Sequence, residues 1–123
     1  MFDYKKPTVQ MLGRWQPWHK GHTELFKRAL AKTGQVCIMV RDTEDNRDNP
    51  FNHNTVIKNI QKNLSNEGFN YNFDYTIIVV PNIIDISYGR GVGYTFTEHD
   101  LGENIHNISA TKIRNKLREK GEL

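Results

Sequence analysis

The sequence predicts an α/β domain built on a small parallel sheet. Three short apolar runs, at residues 8–12, 36–40 and 75–80, read as buried strands. Between them lie two segments whose apolar residues recur at helical spacing. Strand, helix, strand, helix, strand in that order is the pattern of right-handed βαβ units. At 123 residues the chain is expected to be one domain, 1–123, with a single core.

Each element has its own signal. Residues 8–12 (Thr-Val-Gln-Met-Leu) form the first strand, ended by Gly13. The first helix carries Leu25, Phe26, Ala29 and Leu30 on one face, and Gly34 is placed to end it. Residues 36–40 are apolar throughout, as expected of a parallel strand covered on both faces. Residues 41–50 are a polar loop, after which Val56, Ile57, Ile60 and Leu64 mark a second helix. A turn-rich stretch, 66–72, leads to the third strand, closed by Pro81. Residues 81–107 are the hardest to read; Tyr94 and Phe96 alternate as a fourth strand would. The last helix is expected over 109–120, with Ile113 and Leu117 inward and Gly121 at its end.

Composition narrows the function classes. The net charge of +3 suits an anionic ligand, but no lysine- or arginine-rich block is interleaved with aromatics as in nucleic-acid-binding modules. No stretch approaches a membrane span, and the first six residues lack the apolar run of a signal peptide, so a cytoplasmic location is expected. The one cysteine, Cys37, lies inside the second strand and reads as a small core hydrophobe.

Ligands of parallel sheets bind at the carboxyl ends of the strands, near the point where strand order reverses. That directs attention to the loops after Leu12, Val40 and Val80. The first loop reads Gly13-Arg14-Trp15-Gln16-Pro17-Trp18-His19-Lys20-Gly21-His22. With a helix starting near Gly21, both imidazoles sit at its first turn. Free N–H groups and the helix dipole make that end an anion site. The two histidines, Lys20 and those N–H groups would converge on one phosphate, and Gly21 would let it approach the backbone. Two histidines could also be metal ligands, although zinc wants three or four and no third is evident; no Walker-type phosphate loop is present. A capping role without further function is the remaining reading.

A second motif opens the last helix: Ile108-Ser109-Ala110-Thr111-Lys112-Ile113-Arg114. Ser109 suits an N-cap. Lys112 and Arg114, however, put positive charge at a helix start, unfavourable by roughly 0.3–1 kcal/mol per group. A bound phosphate would reverse that sign, so an anion is expected here.

Together the two motifs resemble the His-x-Gly-His and Ile-Ser-x-Thr-x-x-Arg signatures of the nucleotidyltransferase superfamily. The Gly-Arg-aromatic-Gln-Pro lead is similar to the nicotinamide-type adenylyltransferases in particular. The resemblance implies a Rossmann-like three-layer sandwich of the nucleotidyltransferase type. It implies transfer of a nucleoside monophosphate, AMP favoured, from a triphosphate (ATP or CTP) to a small phosphorylated acceptor, with release of pyrophosphate. His19, Lys20, His22 and Arg114 would then be catalytic. Gly13, Arg14, Trp15, Gln16, Gly21, Ser109, Ala110, Thr111 and Lys112 would bind the nucleotide. Mg2+ would enter with the triphosphate, with no protein ligand assigned to it, and a homo-oligomer is possible.

The acceptor is expected at Arg41, Asp42 and Asn49, where Asn49-Pro50-Phe51 is similar to a segment of the archaeal nicotinamide-type enzymes, and at Tyr88 and Arg90 of a glycine-rich loop. The alternatives are cytidylyl transfer to a polyol- or choline-type phosphate and a non-catalytic nucleotide-binding module.

Overall fold

The structure, a computed structural model, describes residues 1–91 and 93–123. Three strands, β1 (Val9–Gly13), β2 (Val36–Arg41) and β3 (Tyr75–Val80), form a parallel sheet in the order β1-β2-β3. The crossovers are α1 (Lys20–Thr33) and α2 (His53–Asn66); a single turn, α3 (Glu103–His106), and α4 (Ala110–Glu119) follow. This is the small parallel α/β sheet that the periodicity predicts.

Register explains where the core lies. Met11 pairs with Ile38, and Ile38 with Ile77, so Val9, Met11, Val36, Ile38, Val40 and Tyr75 share one face. Buried Phe26 and Ala29 of α1 and Val56, Ile60 and Leu64 of α2 join the same cluster. Phe26 meets Phe69 and Tyr75 edge-on, at 5.1 and 5.7 Å between ring centroids. Strands in sequence order with right-handed crossovers put both helices on that face.

The opposite face is less covered than an all-apolar strand implies. Cys37, Met39 and Ile78 are half-buried there. With β1-β2-β3 in chain order, strand order does not reverse among the described strands. At the carboxyl ends of the strands, the loops after β1 and β2 meet through Gln16 and Phe51.

Boundaries move for local reasons. Gly13 is the last residue of β1 and does not end it early. α2 begins three residues before its first apolar position, because Oδ1 of Asn52 accepts the N–H of Thr55 at 2.9 Å. The strand expected at Tyr94 and Phe96 is not formed: both are exposed and pack on each other, 6.1 Å apart. Alternation prepares two faces, but a strand also needs a neighbour to complete its hydrogen bonds. The glycine-rich string around them includes Val92, which lies outside the described residues.

Candidate functional site

The start of α1 is closed by its own histidines. His19 is the N-cap, and its Nδ1 accepts the N–H of Gly21 at 3.0 Å. Nδ1 of His22 accepts the N–H of His19 at 3.1 Å, completing a capping box with imidazoles in place of the usual hydroxyl and carboxylate. The two rings stack, 3.6 Å between centroids and 24° between planes. A ring nitrogen that accepts carries no proton, so each neutral imidazole has its hydrogen on Nε2.

Two tryptophans wall the pair. Trp15 stands edge-on to His22 at 4.8 Å and Trp18 lies 5.4 Å from it. Trp15 holds a left-handed backbone (φ 54°), and its Nε1 donates to the carbonyl of Met39 on β2 at 3.1 Å. Nε1 of Trp18 donates to Oγ1 of Thr23 at 2.9 Å. Burial, assisted by the neighbouring His19, pushes the His22 imidazole down to about 3, and burial also lowers His19. Both shifts favour the neutral rings, whose Nε2–H groups are uncharged donors.

The glycines serve these rings. A Cβ on Gly13 would lie 2.8 Å from the Trp15 ring, and one on Gly21 would lie 2.8 Å from Cε1 of His19. The close neighbour of Gly21 in the structure is thus the His19 ring. Lys20 is exposed on the first turn.

The second motif reaches the first through Arg114. Ser109 caps α4, its Oγ accepting the N–H of Lys112 at 3.3 Å. Ala110 opens the helix half-buried, and Nζ of Lys112 donates back to the carbonyl of Asn107 at 3.4 Å. Arg114 is 5% exposed. Its Nη1 donates to the carbonyl of Gln16 at 2.6 Å and its Nη2 to Oγ1 of Thr111 at 3.3 Å. Asp48 lies 3.8 Å away. Among the described residues, Nε of Arg114 is buried with no partner. Burial lowers the guanidinium from its ordinary value, against the pull of Asp48 and with a push from Arg118 and Arg14.

The loop after β2 is the third component. The side-chain amide of Gln16 grips the Phe51 backbone at both ends: Nε2 donates to the carbonyl at 2.8 Å, and the N–H donates to Oε1 at 2.9 Å. Asn49, expected at the acceptor, is instead buried. Its Oδ1 accepts from Arg14 at 3.4 Å and its Nδ2 donates to Asn46 at 3.1 Å, so its amide is taken up inside the protein.

A cavity of about 270 Å3 opens at the end of β2, with Val40, Phe51 and Val56 as apolar lining and Arg41, Asp42, Thr43 and His53 as polar lining. Nδ1 of His53 lies 3.8 Å from Oδ1 of Asp42. A second cavity of about 440 Å3 runs between Leu12, Arg41 and residues 83–86. Arg41 lines both, with its Nη2 on Oδ1 of Asn82 at 2.8 Å and its Nε buried without a partner among the described residues. Tyr88 and Arg90, also expected at the acceptor, are exposed and line neither cavity; Tyr88 stacks on Phe96. Among the described residues no group of three or more His, Cys, Asp or Glu is placed to hold a metal ion.

Sequence reasoning missed Trp18, Thr23, Asn46, Asp48 and His53. The aromatic residues crowded around the two histidines were a usable signal for Trp18. Nothing local marks Asp48 or Asn46, whose roles depend on where a loop closes.

No family model matches the chain. Among known proteins it is similar to the nicotinamide-nucleotide adenylyltransferase of Methanococcus maripaludis, 27% identical with 89% of this chain and 77% of that protein covered. The proteins of the same name from Methanococcus aeolicus and Ignicoccus hospitalis are each 32% identical. Those matches cover 59% and 58% of this chain and 41% and 43% of the relatives.

Proposed function

From these relatives, which support assigning the chain to the nucleotidyltransferase superfamily of enzymes, we propose that it moves the adenylyl group of ATP to a phosphate-bearing acceptor and releases pyrophosphate. The relatives' name speaks of a nicotinamide nucleotide, and nicotinamide mononucleotide is the first candidate acceptor. The observation that carries this reading is the His19–His22 capping box, which fixes two neutral rings side by side with Nε2–H as the donor of each.

An oxygen of the acceptor phosphate attacks the α-phosphorus in line. The bond to the bridging α–β oxygen breaks, and pyrophosphate leaves with that electron pair. Catalysis of this kind is positioning and charge stabilisation. His19 and His22 donate to the phosphate oxygens as charge moves onto them, and Lys20 adds a flexible cation. Ser109, Thr111 and the first N–H groups of α4 receive the outer phosphates. The orphaned Nε of Arg114 is a donor that a phosphate oxygen would satisfy. The donors at His19 and His22 are N–H groups, which suit phosphate oxygens and not magnesium. Mg2+ therefore belongs to the triphosphate, where it offsets phosphate charge. The acceptor sits in the cavity at the end of β2, lined by Arg41 and Asp42.

The test is pyrophosphate release from MgATP and from MgCTP, each with nicotinamide mononucleotide and with simple phosphomonoesters, against a His22→Ala control. Release from MgATP that is lost in the control supports the reading. Faster release from MgCTP would move it to cytidylyl transfer. No release, and no thermal stabilisation by either triphosphate, would sink it.

A further inference from the structure

We propose that Gln16 is a positioning residue, whose side chain fixes the wall of the acceptor cavity while its backbone carbonyl fixes Arg114. The inference rests on the reading above for what the cavity and Arg114 do; the juxtaposition itself is geometric. Gln16 is 6% exposed. Its amide meets the Phe51 peptide donor to acceptor and acceptor to donor, as one strand meets another. Gln16 and Phe51 both line the 270 Å3 cavity. The carbonyl of the same residue takes Nη1 of Arg114. One residue thus touches the loop after β1, the loop after β2 and the last helix.

Elsewhere that loop is tied at its start, where the N–H of Asp42 donates to the carbonyl of Val80 at 2.8 Å, and to α4, where Nη2 of Arg118 donates to the carbonyl of Arg47. Oδ1 of Asn46 accepts the N–H groups of Asp48 and Asn49, each at 2.9 Å, and so shapes a turn without anchoring it to the sheet. The contact of Arg14 with Asn49 is long, at 3.4 Å. The two-point Gln16–Phe51 clamp is the strongest link between the loops, and both polar atoms of its amide are engaged. The resemblance places Gln16 on the nucleotide; the geometry turns its side chain to the protein.

The test compares wild type with Gln16→Met, which keeps length and removes both hydrogen bonds, and Gln16→Glu, which keeps the acceptor for the Phe51 N–H and loses the donor. MgATP affinity is read from the fluorescence of Trp15 and Trp18, acceptor KM from turnover with nicotinamide mononucleotide, and loop order from hydrogen exchange at the Phe51 amide. In Gln16→Met, acceptor KM should rise about ten-fold, Phe51 exchange should accelerate, and MgATP affinity should stay within about two-fold. Gln16→Glu should lie between the two and supplies the comparison if Gln16→Met does not fold. A loss of MgATP affinity as large as the rise in acceptor KM would make Gln16 a nucleotide ligand and overturn the proposal. Unaltered Phe51 exchange, or fast exchange with unaltered acceptor KM, would also overturn it. If wild type itself shows no turnover, the functional reading loses its acceptor, while MgATP affinity and Phe51 exchange still decide the role of Gln16.

Discussion

Nη1 of Arg114 lies 2.6 Å from the carbonyl oxygen of Gln16, joining the two motifs across 98 positions of sequence. The bond is buried and charge-assisted, so it serves both stability and the site. Arg114→Met should lower stability by about 1–3 kcal/mol, because the Gln16 carbonyl is left unpaired. Urea unfolding measures this. Turnover should fall in the same variant. Arg114→Lys, which keeps charge but not the planar fork, should recover only part of either.

The histidine pair makes a second prediction. His19→Ala and His22→Ala should each reduce turnover by about 10²–10³ if the rings donate to developing charge. Both rings also cap the first turn of α1 and stack on each other, so the double variant should lose less than the product of the two. Single-turnover measurements on the three variants check this. A fully multiplicative loss would mean the rings act independently.

Acid should weaken the fold through His22. Its folded-state value, about 3, lies below the ordinary 6.5, so the unfolded chain binds a proton that the folded chain refuses. The contribution is present in full above about 6.5 and is lost as pH falls toward 3. The urea midpoint should therefore drop between pH 7 and pH 4, and His22→Asn should flatten that slope. Equal slopes in the two proteins would remove His22 as the cause.

Adding one methyl group tests the close contacts. Gly21→Ala would bring a Cβ to 2.8 Å from the His19 ring, where the ring must swing away. Turnover should fall by about ten-fold or more, since an ångström of misplacement is costly to catalysis. Gly13→Ala presses on Trp15, which is packed and hydrogen-bonded, and should cost stability by roughly 1–3 kcal/mol. Melting temperature and turnover, measured on both, separate the two effects.

What could be read in advance follows the range of the interaction. The strands were legible because burial writes apolar runs, and the α1 start because histidines and glycine crowd a few positions. Asn52 as the cap of α2 was hidden among other polar residues. Tyr94 and Phe96 misled because alternation says nothing about whether a neighbouring edge is there to pair with. The roles of Gln16 and Asn49 were illegible for a simpler reason: their partners, Phe51 and Arg14, lie 35 positions away. Only closure of the loops brings them together.

Sequential strand order also bears on how the site comes into being. Each strand docks on the one made just before it, so the sheet grows through short loop closures, which carry the smaller entropic cost. The Arg114–Gln16 contact closes the longest loop and should be the last to form, after the core is in place. Pulse-labelled exchange should then find the β2 amides protected before those of α4; simultaneous protection would count against this order. On that account folding and competence are separate events: a chain with an intact core but an undocked last helix would be stable and inactive.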